Sequence, residues 1–184
     1  QPFEDLPRVL LGHSMGGVLA LDYAMAHPRD LKALVLSAPG LRSATPPWWK
    51  LALANVARAT APSAGFPHGL DVKGISRDPE VVKAYQSDPL VHGKISPRLF
   101  FDFDEARQRC MREARQLSVP TLLLQGMADR MVDPKGALEF AGSATHGVVR
   151  FVTHKDTYHE IFNDLGREAV IRDLAAWLDA ALVV

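Results

Sequence analysis

Ser14 stands in Gly12-His13-Ser14-Met15-Gly16, between the apolar run Val9–Leu11 and an Ala/Leu-rich run that follows at once. Strand, sharp turn, helix is the setting in which a G-x-S-x-G serine becomes a nucleophile. Its hydroxyl must stand clear of the backbone, so the turn that presents it is strained and crowded. Small residues at 12 and 16 are expected to let strand and helix pass close beside it. The helix after Ser14 would aim its first amides, and the positive end of its dipole, at any oxyanion formed there. Taken alone the pentapeptide is a weak signal, because an ordinary Gly-rich turn between a strand and a helix has the same sequence.

A serine hydroxyl needs a base to take its proton and a carboxylate to orient that base. In an α/β sheet these groups are expected on loops after later strands, in the order Ser, Asp, His. Asp129 lies in Gly126–Asp133, behind the apolar run Pro120–Gln125, and His159 lies in Tyr158-His159-Glu160, behind the run Val148–Thr153. Asp133 competes with Asp129, but it precedes Pro134 and suits a helix cap better. His154 competes with His159; it falls at a strand end, where it would face solvent or pack locally, whereas a loop position lets the ring of His159 swing towards Ser14. His13 reads as a packed neighbour beneath the turn, since adjacent strand residues face opposite ways. His27, His68, His92 and His146 lie in turns and are assigned nothing. No His/Cys/Asp cluster has metal-ligand spacing, so neither a metal nor a cofactor is expected.

The elements that must position these groups follow from the apolar pattern. Ala33–Leu36 is apolar on both faces, the mark of a parallel sheet covered by helices on both sides, and Pro120–Gly126 reads as a second buried strand. Strand, helix and strand within the first forty or so residues form a βαβ unit. Between 42 and 116 prolines at 46, 47, 62, 67, 79, 89 and 97 break the chain into short pieces without a convincing strand. That region reads as a helical cap insertion. Within it Trp48–Ala59 carries Trp48, Leu51, Ala52 and Val56 at helical spacing, Asp78-Pro79 opens a helix, and Asp104–Leu117 forms a charged one. A helix from Asp133-Pro134 to Ser143 and a closing helix over 164–182, with Val170, Leu174, Trp177 and Leu178 on one face, complete the pattern. The expected fold class is α/β, with about four mostly parallel strands flanked by helices. The expected division is 1–41 and 117–184 for the two parts of the core and 42–116 for the cap.

A chain of 184 residues, 47% of them hydrophobic, can bury one good core. With 21 basic and 21 acidic residues and no single-sign run, nucleic acid is not the expected partner. The single cysteine, Cys110, excludes an internal disulfide framework and fits a reducing, cytoplasmic compartment; it reads as an ordinary packed or half-exposed thiol. No apolar run approaches the roughly 20 residues needed to span a bilayer.

Four motifs in register carry a resemblance: Gly12-His13-Ser14-Met15-Gly16-Gly17; Ser87-Asp88-Pro89-Leu90 in the cap; Leu122–Gly126 with Ala128-Asp129-Arg130; and Tyr158-His159. On these the chain resembles the monoacylglycerol lipase and lysophospholipase family of α/β-hydrolases. The resemblance implies a serine hydrolase of carboxylic esters working through an acyl-enzyme, with Ser14, Asp129 and His159 as its triad. Met15 N–H would be one oxyanion donor. It further implies a small-molecule or lipid ester substrate and a cap that makes peripheral contact with a membrane. Trp48 and Trp49 suit such a surface, although two adjacent tryptophans in a cap more often pack inward than meet a membrane. Members of the family carry further strands before the nucleophile strand, with a His-Gly loop whose amide completes the oxyanion hole. Here that strand begins near residue 8, so the chain reads as a truncated α/β-hydrolase. Val9–Leu11 would then lie at an uncovered apolar edge, expected to pair with a second copy or with a separate N-terminal segment. Two other readings stay open: a catalytically impaired remnant serving as a binding module, and a perhydrolase or aminopeptidase using the same triad.

Overall fold

The computed structural model describes residues 6–42 and 46–182, so the loop expected over residues 1–7 lies mostly outside the described residues. In chain order the first elements are β1 (Val9–His13), α1 (Met15–Ala26), β2 (Ala33–Ser37), α2 (Trp48–Thr60), β3 (Phe66–Pro67) and α3 (Pro79–Ser87). They are followed by β4 (Lys94–Ile95), α4 (Pro97–Arg112), β5 (Thr121–Gly126), α5 (Pro134–Ser143), β6 (Val149–His154) and α6 (Arg167–Leu182).

Strands β1, β2, β5 and β6 form one parallel sheet in the order β1-β2-β5-β6. Every residue of the two inner strands is buried, as continuous apolar runs require when helices cover both faces. Alternation along β2 sends Leu34 and Leu36 into a core with Leu21 of α1, Cys110 of α4 and Phe140 of α5, while Val35 faces the other way. There it joins Leu122, Leu124 and Val170, and α6 lays Leu174, Trp177 and Leu178 over them. Phe140 is wholly buried, which contributes roughly 1.5–3 kcal/mol for a side chain of its kind. Two helix starts read from Asp-Pro pairs are as expected. Asp78 accepts from Glu80 N–H at 3.0 Å and Asp133 from Lys135 N–H at 3.0 Å, each followed by proline at the first helical position.

Other boundaries differ. α4 begins at Pro97 rather than Asp104, because Ser96 Oγ caps Leu99 N–H at 3.2 Å and the proline opens the helix instead of breaking it. α6 begins at Arg167 rather than 164, because Gly166 turns through φ 85° and Asp164 is taken up as a buried acceptor. The segment between β2 and β5, expected to hold no convincing strand, contains a short antiparallel pair, Phe66 opposite Ile95 and Pro67 opposite Lys94. α2 forms as expected, yet none of its residues is buried; Trp48 is 80% exposed and Val56 61%. Among the described residues β1 pairs with β2 alone, leaving its outer edge open with Leu11 48% exposed.

Candidate active site

Ser14 sits between the last residue of β1 and the first of α1, at φ 54° and ψ −121°. That conformation is one an L-residue rarely adopts, and it costs on the order of 1–3 kcal/mol unless its surroundings enforce it. They do so through β2. Ser14 N–H donates to the Ser37 carbonyl at 2.9 Å, and the Ser14 carbonyl accepts from Gly17 N–H at 3.1 Å and Gly40 N–H at 3.0 Å. The crowding expected at positions 12 and 16 falls instead at 12 and 17. A Cβ on Gly12 would lie 2.7 Å from that of Ala20 and one on Gly17 2.9 Å from that of Pro39, whereas Gly16 has open space.

The later strand ends bring up the other two groups. His159 Nε2 lies 2.8 Å from Ser14 Oγ, and His159 Nδ1 lies 2.8 Å from Asp129 Oδ2. A carboxylate can only accept, so Nδ1 carries the hydrogen and Nε2 is left to accept from the serine hydroxyl. Asp129 is fixed on both oxygens. Oδ1 accepts from Met131 N–H at 2.8 Å and Val132 N–H at 3.0 Å, and Oδ2 also accepts from Gln125 Nε2 at 3.2 Å. The side chains of Asp129 and His159 are 0% and 6% exposed, so the imidazole–carboxylate contact is shielded from water, while Ser14 is half-buried. Of the competing residues, Asp133 caps α5 and pairs with Arg42 at 3.0 Å, and His154 faces Asp173 at 3.4 Å; neither reaches Ser14. Met15 opens α1, so its N–H is one of those a helix leaves unsatisfied in its first turn.

Several neighbours were not singled out by the sequence. His13 is more than a packed residue beneath the turn. Its ring lies 4.8 Å from that of His159, with Nδ1 3.0 Å from Ser37 Oγ and Nε2 3.2 Å from Glu160 Oε1. The His13 contact, helped by Asn163, outweighs the penalty of burial and holds the Glu160 carboxyl at about 2. Gln125, wholly buried at the end of β5, has its amide set between Gly126 O and Asp129. The one clue to it was a polar residue closing an otherwise apolar strand. Among the described residues no group of three His, Cys, Asp or Glu side chains is placed to hold a metal ion.

A parallel sheet with a strained serine at a strand-to-helix turn, and histidine and aspartate on the ends of later strands, defines the α/β-hydrolase class. The chain belongs to the family described as serine aminopeptidase, S33, whose profile matches residues 1–166. It is 34% identical over 178 residues to the monoacylglycerol lipase of Mycolicibacterium smegmatis, a match covering 94% of this chain and 62% of that relative. It is 33% identical to the phospholipase YtpA of Bacillus subtilis over 95% of this chain and 69% of the relative. Among solved structures, the Paleococcus ferrophilus monoacylglycerol lipase superposes with a TM-score of 0.89 at 34% identity, covering 95% of this chain and 69% of that one. The family resemblance read from the four motifs is therefore upheld. The chain spans about three-fifths of the length of the monoacylglycerol lipases it matches among curated proteins.

Proposed function

We propose that this chain is a carboxylic ester hydrolase that cleaves single-chain lipid esters, monoacylglycerols or lysophospholipids, through an acyl-enzyme. The observation that carries the reading is the hydrogen-bonded line Ser14–His159–Asp129, with both links at 2.8 Å. Ser14 Oγ attacks the ester carbonyl carbon as its proton passes to His159 Nε2, and Asp129 retains and stabilises the imidazolium. Charge builds on the carbonyl oxygen, where Met15 N–H and the N-terminal end of α1 receive it. Collapse of the tetrahedral intermediate expels the alcohol, which takes the proton from Nε2. Water, deprotonated by the same nitrogen, then attacks the acyl carbon, and the returning proton restores Ser14.

Lipid substrates are favoured by the names of the relatives and by α2, which exposes Trp48, Trp49, Leu53 and Val56, an apolar surface suited to a membrane or a lipid aggregate. Peptide cleavage from a free amino end is disfavoured. That reaction calls for a carboxylate free to bind an ammonium group, and the carboxylate beside the site, Glu160, is already engaged by His13 and Asn163. An assembled relay also speaks for an enzyme over a binding module. The test is a fluorophosphonate probe together with a p-nitrophenyl acyl ester. The expected result is stoichiometric labelling at Ser14 and turnover, both lost in Ser14→Ala. Folded protein that takes no label and turns over no ester overturns the reading.

A further inference from the structure

His159 rides on a loop rather than on a helix or strand, so its place depends on what holds that loop. Backbone amides close to it on both sides are held, one by a side chain ahead of α6 and one by the cap segment. Tyr158 N–H donates to Asp164 Oδ2 at 2.7 Å, and Glu160 N–H donates to the Ile75 carbonyl at 2.8 Å. Asp164 is wholly buried and is the centre of the arrangement. Its Oδ1 accepts from Arg77 N–H at 2.7 Å and faces Ser76 Oγ at 3.2 Å, and its Oδ2 also accepts from Arg77 Nε at 2.9 Å. The Arg77 guanidinium continues to the Leu165 carbonyl at 2.5 Å. Ser76 Oγ lies 3.2 Å from the Asn163 carbonyl and accepts from Asp78 N–H at 3.0 Å. One carboxylate thus fastens residues 76–77 of the cap insertion, just before α3, to the loop that carries the imidazole. Burial opposes the ionisation of Asp164, but the bonds from Tyr158 and Arg77 outweigh it and hold the carboxyl below its usual range.

We infer that Asp164 is a positioning residue: it seats the His159 loop on the cap segment Ser76–Arg77, so that the reach of the imidazole to Ser14 depends on how that segment is seated. The inference rests on the hydrolase reading for its effect on turnover, but not for its structural content. The backbone amides of Tyr158 and Arg77 and the Arg77 Nε–H all converge on this one carboxylate. Displacing residues 75–77 removes the acceptor of Glu160 N–H and, on the other side of His159, the groups that hold Asp164 against Tyr158 N–H. The geometry couples the cap to the relay through a solid contact.

Asp164→Asn keeps the size of the side chain but sets an NH2 against donors already present, from Arg77 or Tyr158. The expected result is a fall in kcat per fluorophosphonate-titrated site of roughly ten- to a hundredfold, the cost of misplacing a catalytic group by about 1 Å, with KM within about twofold. Arg77→Gln alters a partner whose side chain is 29% exposed, so it leaves folding intact if Asp164→Asn does not, and is expected to act in the same direction more weakly. Amide hydrogen exchange is measured on both variants without substrate. The amides of Tyr158 and Glu160 are expected to exchange at least about tenfold faster while those of β5 are unchanged, because only the local opening free energy falls. A merely structural role would lower yield or melting temperature and leave kcat per titrated site alone. Unchanged kcat together with unchanged exchange at 158 and 160 overturns the inference. If the parent protein turns over no ester, the hydrolase reading fails, and the seating of the loop is then decided by exchange alone.

Discussion

Gly126→Ala is the sharpest single test of how the relay is assembled. Gly126 ends β5 and opens the turn to Asp129, and the loop ahead of His159 crosses directly over it. A Cβ there would lie 2.6 Å from the Tyr158 carbonyl oxygen and closer still to that of Thr157. Both atoms are backbone, so no side chain can rotate away. Relief to ordinary contact moves the loop by about 1 Å, and overpacking of this kind costs about 1–3 kcal/mol. The turn and the loop are also joined by Ala128 N–H to Thr157 O at 3.2 Å and Met127 N–H to His154 O at 2.9 Å, so the strain spreads into both. For a chain of this length the melting temperature should fall by roughly 3–10 °C. The larger effect is on chemistry: an imidazole set back by about 1 Å loses its bond to Ser14 and about a hundredfold in rate. The assay is kcat and KM for p-nitrophenyl butyrate on protein counted by active-site titration, beside a thermal melt. A variant that melts lower but retains its parent's kcat refutes the claim that close approach of these loops sets the relay.

Two further outcomes follow from ionisable groups outside the relay. Glu160 sits at about 2 against an ordinary value of 4.5, so its ionised form stabilises the fold above pH 4.5, and that stability is lost as the pH falls from 4.5 towards 2. Glu160→Gln should therefore cost about 1–3 kcal/mol at pH 7, the lower figure allowing for screening of a partly exposed side chain, and the gap to the parent should close at acid pH in urea unfolding curves. A gap that stays constant with pH would refute the assignment. Cys110 is wholly buried, and burial, with Asp22 nearby, pushes its thiol up to about 12. Native protein at pH 8 should resist iodoacetamide and react on unfolding; equal rates in both states would contradict that.

The sheet was legible because Ala33–Leu36 of β2 and Leu122–Leu124 of β5 are unbroken apolar runs, a pattern that suits a doubly covered parallel strand. The line Ser14–His159–Asp129 could be expected because acyl-transfer chemistry calls for those residue types at strand ends in that order, and the three side chains do meet; their catalytic roles belong to the proposed function. What escaped was what holds them. Asp164 looked like the first residue of a helix, since nothing local says that a carboxylate will be drawn into a cluster with residues 87 and 88 positions away. Its partners Ser76 and Arg77 lie just ahead of the helix read from Asp78-Pro79, in a stretch for which the sequence offered no pattern. Glycine 16 was credited with tightness that belongs to Gly17, because which glycine faces Pro39 depends on where α1 begins.

The hydroxyl and the imidazole that meet at 2.8 Å are 145 residues apart in the chain. The strained turn at Ser14 is a local affair of β1, α1 and β2, whereas the base arrives only when β6 has joined a sheet whose neighbours are far apart in sequence. Contacts of such separation form late, after the entropy of closing long loops has been overcome. A chain in which β6 had not joined the sheet would keep the elements of the Ser14 turn and lack the base, so the proposed turnover demands the whole sheet, from β1 to β6.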